Sequence, residues 1–358
     1  MKSSDLLRNR FSRNFLLKHT ICLIDVWSRR LIVVLALTLG GVSKAEQGGD
    51  SAFFQQRSQF AYNSVFGLPV VAPRLVQTLE WQVSIEHSNE FVGGIADDER
   101  LLLDGETTRL DLRHRQRLGP CWQFTATVPF VAHSGGSFDQ AIEEWHKFFG
   151  FPDANRDDTD FNSLSYEYSD ANGTKHAIGS PQSGIGDVEF ALQHALGCFA
   201  TADSTNAAPM LRVGIKLPTG NPSELRGSGE VDLFADWQSP VWTFKKRLHG
   251  GLAVGVLFNG QSERFARQEN IVVYGSLAVQ YVVHTKFRLI AQLDGHGPFY
   301  KSALRELGDP AINLVLGARY MADRGYSYEV SISEDVAIDT TPDIVARLAV
   351  SYRPDQMN

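Results

Sequence analysis

Residues 79–88 read Leu-Glu-Trp-Gln-Val-Ser-Ile-Glu-His-Ser. Leu79, Trp81, Val83, Ile85 and His87 fall on one face of an extended strand, and Glu80, Gln82, Ser84, Glu86 and Ser88 on the other. Successive side chains of a strand point to opposite faces, so this alternation describes a ribbon with one apolar and one polar surface. The pattern recurs about a dozen times, without a helical layer to cover the apolar faces. Lipid can cover them. The reading is an all-β, antiparallel up-and-down transmembrane β-barrel of about 12 strands with long external loops, apolar face to lipid and polar face to the lumen.

The expected strands run over 76–87, 107–118, 121–132, 187–196, 208–217, 230–238, 249–259, 270–282, 286–296, 312–321, 326–335 and 344–353. The junctions alternate in length. Gly119-Pro120, 197–207, 239–248, His284-Thr285 and 322–325 make the shorter set. Stretches 88–106, 133–186, 218–229, 260–269, 297–311 and 336–343 make the longer one. Outer-membrane barrels have short periplasmic turns and long external loops, which is the same alternation. A secreted β-sandwich has no reason to show it.

Composition agrees. A mean hydropathy of −0.17 looks soluble, but a barrel strand averages apolar with polar positions. The 358 residues carry a net charge of −7, and no Lys/Arg stripe interleaves with aromatics, which argues against a nucleic-acid partner. Arg29-Arg30, the apolar run Leu31–Leu39, and small residues Ser43 and Ala45 form an export signal with cleavage expected at Ala45/Glu46. The division expected is a signal peptide over 1–45 with an over-long leading region, an irregular N-terminal segment over 46–74, and a barrel over 75–358 in the Gram-negative outer membrane. After removal of Cys22, Cys121 and Cys198 remain, placed near the same barrel end and expected to form a disulfide.

The polar face holds charges of both signs. Glu80 and Glu86 lie on the first strand; Arg109, Asp111, Arg113, Arg115 and Arg117 on the second; Asp187 and Glu189 on the fourth; Arg212 on the fifth. They read either as cross-strand pairs filling a narrow lumen or as a selectivity surface for a polar solute. The strand-two arginines would favour anions unless Glu80, Glu86 and Asp111 neutralise them. The long 133–184 stretch is acidic, with a short helix expected over Phe138–Phe149, and is expected to plug the barrel mouth. Asp153–Leu164 imitates a calcium loop but has Asp158 and Leu164 where Gly and Glu are needed, so no metal is expected. Outward His87, His114 and His194 suggest an interfacial girdle. A lipid-facing hydrolase would need a serine beside one of them, and no outward serine is in register with His114 or His194, so no enzyme activity is expected.

Several blocks resemble a known family: FGLPV at 66–70, WHKFFGFPDANRDD at 145–158, GIGDVEF at 184–190, VGIKLPTG at 213–220 and GSGEVD at 227–232. Together they resemble the proteobacterial family catalogued as domain of unknown function 3187. The most specific block contributes Trp145, His146, Phe149, Pro152, Asp153 and Arg156 as an external-loop motif. The resemblance implies an exported outer-membrane barrel and carries no catalytic residue with it. The expected function is a narrow, porin-like channel passing or binding a small polar solute, without a cofactor. Its expected partners are outer-membrane lipid, the outer-membrane assembly machinery and an unknown small solute, with the chain a monomer. The alternative is a closed barrel serving envelope structure or docking.

Overall fold

The computed structural model describes residues 51–71, 75–136, 163–170, 175–197, 208–265, 267–336, 340–342 and 344–354. The strands are β1 (Leu79–Ala96), β2 (Glu99–Arg117), β3 (Trp122–Ser134), β4 (Ser165–Ser169), β5 (Lys175–Ile178), β6 (Gln182–Ile185), β7 (Val188–Ala195) and β8 (Met210–Leu217). They continue as β9 (Asp232–Gln238), β10 (Trp242–Lys245), β11 (Leu248–Phe258), β12 (Ile271–His284), β13 (Phe287–His296), β14 (Ala311–Met321), β15 (Tyr326–Asp335) and β16 (Ile344–Tyr352). Two single-turn helices, α1 (Ala61–Ser64) and α2 (Arg305–Gly308), complete the regular elements.

Twelve strands form one closed antiparallel wall in the order β1-β2-β3-β7-β8-β9-β11-β12-β13-β14-β15-β16. The ladder from Trp81↔Tyr352 to Asn89↔Ile344 joins the last strand to the first. Closure leaves no wall edge with unpaired backbone groups, which is the condition for strands to stand in lipid. The wall is inside out relative to a soluble protein. Leu348 is 58% exposed and its neighbour Arg347 is 1% exposed. Along β1, Val83 and Ile85 face out while Glu80, Gln82, Ser84 and Glu86 are buried in the lumen. Trp81 lies against His114, and Trp122 against His194, with ring centroids 4.3 and 4.2 Å apart beside the short turns. Aromatic and imidazole rings at that level form the interfacial girdle.

The remaining strands extend the wall. A spanning strand needs about 9–11 residues, and β1 and β2 have 18 and 19. Stretch 88–106, expected as a loop, is therefore the outer half of this hairpin, paired from Glu90↔Gly105 to Ala96↔Glu99. β4 pairs with its outer part and β5 with β4. β6 continues β7 along β3, but Phe130↔Ile185 and Thr127↔Glu189 are out of step by one residue, a bulge at Gly186-Asp187. Pro129 sits opposite, and its carbonyl accepts from Gly186 N at 2.9 Å. β10 is a short strand pairing only with β11.

The interior holds a segment that the sequence reading left as irregular, while most of the stretch expected to plug the mouth lies outside the described residues. The described part of the 133–184 stretch builds wall extension and brings His176 over the mouth, and the lumen itself is filled by the N-terminal segment. Residues 51–71 run through the lumen, nearly all of them buried. They enter at the short-turn end beside Arg319, whose Nη1 donates to Ser51 O at 2.5 Å. They climb to the long-loop end, where Tyr300 Oη donates to Tyr62 O at 2.8 Å. They turn at Gly67, in the left-handed region with φ +61°, and descend. Val76 N then meets Gln123 Oε1 at 2.7 Å, back at the short-turn end before β1.

Candidate functional site

The upward limb of the plug, Ser51 to Gln59, is mostly polar, and strands β1, β2, β7, β13, β14, β15 and β16 supply it with partners. Phe54 N donates to Gln292 Oε1 at 2.8 Å. Gln55 Oε1 accepts from Arg113 Nη1 and, at 2.5 Å, from Arg115 Nη2. Gln56 donates to Ser333 Oγ at 2.9 Å and accepts from Ser331 Oγ at 2.6 Å. The Ser58 and Ser333 hydroxyls are 2.5 Å apart. Arg57 is the plug's one charge among these nine residues. Its Nη2 is 2.6 Å from Glu189 Oε1, its Nε 4.0 Å from Asp111, and its Nη1 donates to Leu68 O on the downward limb. Arg57 N donates to Glu86 Oε2 at 3.1 Å.

The wall charges are placed around this segment. Arg115 pairs with Glu80, and Arg109 Nε with Asp111 Oδ1 at 2.8 Å. Arg113 bridges Gln82 Oε1 at 2.7 Å and Asp111 at 3.4 Å while holding Gln55. Arg212 pairs with Asp236 at 2.5 Å and donates to Val70 O at 2.8 Å. The strand-two arginines are thus neutralised within the wall or engaged with the plug. Arg117 differs from the sequence placement: it lies at the rim, its guanidinium donating to Val76 O at 3.0 Å and Gly119 O at 2.8 Å. Between plug and wall remain cavities of about 20 Å³ at Gln55, Arg113 and Glu189, and about 30 Å³ at Arg57, Tyr274 and Asp294. Such volumes hold one or two waters, not a solute.

Four of the sequence blocks converge on one node at the outer end. Lys216, from KLPTG, is buried; its Nζ pairs with Asp187 of GIGD and, at 2.6 Å, with Asp232 of GSGEVD. The same Nζ donates to Ser228 Oγ at 2.9 Å and to Val65 O, next to FGLPV, at 3.1 Å. Asp187, aimed inward by the bulge, also accepts from Gly220 N at 2.8 Å and Ser228 N at 3.0 Å. A side chain at Gly227 would strike the Asp187 carboxylate. Lys216 therefore ties the plug's turn to the β8–β9 connection.

Above the node an aromatic cap closes the mouth. Phe66 stacks on Phe299 at 5.4 Å and 6°, and meets Phe265 edge-on at 5.6 Å. His176, on the outer β5, packs edge-on against Tyr62 and stacks on Phe265. Burial there pushes its imidazole down to about 4.

Of the outward histidines, His87 meets a threonine: its Nδ1 lies 2.9 Å from Thr108 Oγ1, and its Nε2 is 3.5 Å from Glu106. Thr108 lies within the β1–β2–β3 ladder, which consumes the backbone N–H groups an oxyanion would need. Cys121 is disulfide-bonded. Its expected partner Cys198 lies outside the described residues, as do the signal peptide, the Phe138–Phe149 helix, the Asp153 calcium-like stretch, and Trp145, His146, Phe149, Pro152, Asp153 and Arg156.

The plug was missed from sequence because residues 51–71 carry neither period, and their partners are remote. The only local signal was a polar run, Gln55 to Gln59, between two pairs of aromatics.

Comparison with solved structures agrees with this fold. The chain is similar to the COG4313 outer membrane channel from Pseudomonas putida F1, at 13% identity and TM-score 0.50, over 77% of this chain and 95% of that one. It is also similar to the NanC porin, at 9% identity and TM-score 0.40, over 77% and 99% of the two chains. The toluene transporter TodX from P. putida matches at 10% identity and TM-score 0.38, over 82% and 92%. No curated protein sequence matches significantly. The fold is that of an outer-membrane β-barrel. The family model of the proteins of unknown function DUF3187 matches residues 30–353, and the chain belongs to that family.

Proposed function

We propose that this protein is an outer-membrane channel for a small polar solute, closed at rest by its own N-terminal segment. In this reading the chain is exported by a signal cleaved at Ala45/Glu46 and works as a monomer. One observation carries the gate over a permanent strut. The twelve-strand ladder closes entirely without the plug, which touches the wall through side chains and single backbone groups and adds no strand to it. The plug can therefore move without breaking a wall hydrogen bond. A barrel built only as a strut could fill its lumen with its own wall side chains. The fold shared with an outer membrane channel supports the same reading.

The Ser58 and Ser333 oxygens, 2.5 Å apart, are close to disulfide distance. The Ser58→Cys/Ser333→Cys protein should therefore lock the plug when oxidised. In planar bilayers, urea should open a conductance in the reduced double variant and in the wild type with or without reductant, since it weakens plug burial before the barrel ladder yields. The oxidised variant should stay silent. Equal conductance in the oxidised and reduced variant would show that the plug is not the gate. Silence in all of them, from heat-modifiable folded protein, would favour the closed strut.

A further inference from the structure

We infer that the lumen, once its plug is displaced, conducts cations, and that a guanidinium or alkylammonium group takes the place Arg57 now fills. The inference rests on the gate reading above and names the solute class for it.

The charge balance of the wall points this way. Leaving out Glu99 and Glu106 on the outer hairpin, nine buried carboxylates stand against six buried wall cations among the described residues. The half-buried Arg109 and Asp294 leave that difference unchanged, and the half-buried Arg117, Arg288 and Arg353 offset it at the short-turn end. The excess lies in the outer half of the lumen. Glu90, Asp187, Asp232 and Asp294 are there, with Lys216 as the cation among them. Asp294 has neutral partners, Ser276 Oγ at 2.5 Å and Gln292 Nε2 at 2.8 Å. A cation arriving from outside meets this surface first, and low-dielectric walls focus its field.

The second observation is Arg57 itself. It is the plug's own cation, buried in the lumen, with Nη2 on Glu189 and Nε facing Asp111. The Nε has no hydrogen-bond partner among the described residues, so that side of the guanidinium is held by charge alone. Arg109 and Arg113 already serve Asp111, whereas Arg109 reaches Glu189 only at 4.0 Å. Withdrawing the plug therefore removes the main counter-charge of Glu189. A permeating cation restores it at the cost of its own hydration, the exchange on which side-chain selectivity rests.

The test is the reversal potential of the urea-opened wild type in a KCl gradient. Potassium should permeate severalfold better than chloride. Guanidinium chloride should reduce the potassium current, and Glu189→Gln should weaken both the block and the preference. A chloride-preferring or non-selective current overturns the inference while leaving the gate standing. Absence of any current overturns the gate and this inference with it. The wild-type sign decides the matter even if Glu189→Gln does not fold. A wild-type preference unchanged in a folded Glu189→Gln protein would remove Glu189 from the proposed site.

Discussion

Lys216 Nζ donates to the Val65 carbonyl across 151 residues of chain, at 3.1 Å, while Asp187 and Asp232 hold the same ammonium. One buried cation thus fixes the plug's turn, the bulge at the start of β7 and the start of β9 together. Lys216→Met keeps the length and removes the charge, leaving two carboxylates without their cation. Breaking a buried pair from one side costs about 3–5 kcal/mol. The urea concentration that opens the variant should fall clearly below that of the wild type. An unchanged opening threshold would show that the node does not latch the plug.

Gly67 turns the plug with φ +61°, and a Cβ there would lie 2.5 Å from Lys216 Cδ. Gly67→Ala combines a left-handed backbone, costing about 1–2 kcal/mol, with displacement of the Lys216 stem. Amide exchange across residues 60–68 should accelerate by about 5- to 30-fold, as that free energy implies. Exchange in the β12–β13 ladder should not change, because the plug adds no strand to the wall.

Leu348 lies mid-strand on the lipid face, next to lumen-facing Arg347. Leu348→Arg should lower barrel stability in bilayers by about 2–4 kcal/mol, the cost of a charge near the midplane. Leu348→Ala should be much milder, because lipid fills the space. Reversible denaturation in vesicles measures both. Similar losses for the two would contradict a lipid-facing position.

His176 is held neutral in the aromatic cap, its imidazole pushed down to about 4 by burial. An open cap leaves it near the ordinary value of about 6.5. The open state therefore binds the proton more readily, and the cap's stability is lost as pH falls from about 6.5 toward 4, by up to about 3 kcal/mol. Exchange at Tyr62 and Phe66, corrected for intrinsic rates, should be faster at pH 5 than at pH 7. His176→Phe should abolish the difference. A pH-independent cap in the wild type would contradict this.

The wall was legible because lipid imposes a local rule. Each spanning residue needs an environment set by its own parity, so Leu110, Leu112 and Val128 outward and Asp111, Arg113 and Thr127 inward could be read one strand at a time. The junction lengths then supplied the two ends. Where lipid stops, so does the rule. The outer β1–β2 hairpin pairs fully but meets water and other loops, so its Gly-rich, acidic residues looked like a loop. The four arginines of the second strand were read as favouring anions unless Glu80, Glu86 and Asp111 neutralise them, and the structure pairs Arg115 with Glu80 and both Arg109 and Arg113 with Asp111 of their own strand.

The sequence by itself determined a two-faced ribbon, its repetition and its closure in a membrane, since these follow from a period of two and a solvent without hydrogen bonds. Only the tertiary structure decided what fills the barrel. Gln56 meets Ser333 across 277 positions and Arg57 meets Glu189 across 132. No pattern within residues 51–71 encodes those partners. The plug is specified by the charges and hydroxyls of a wall that exists only after twelve strands have closed around it.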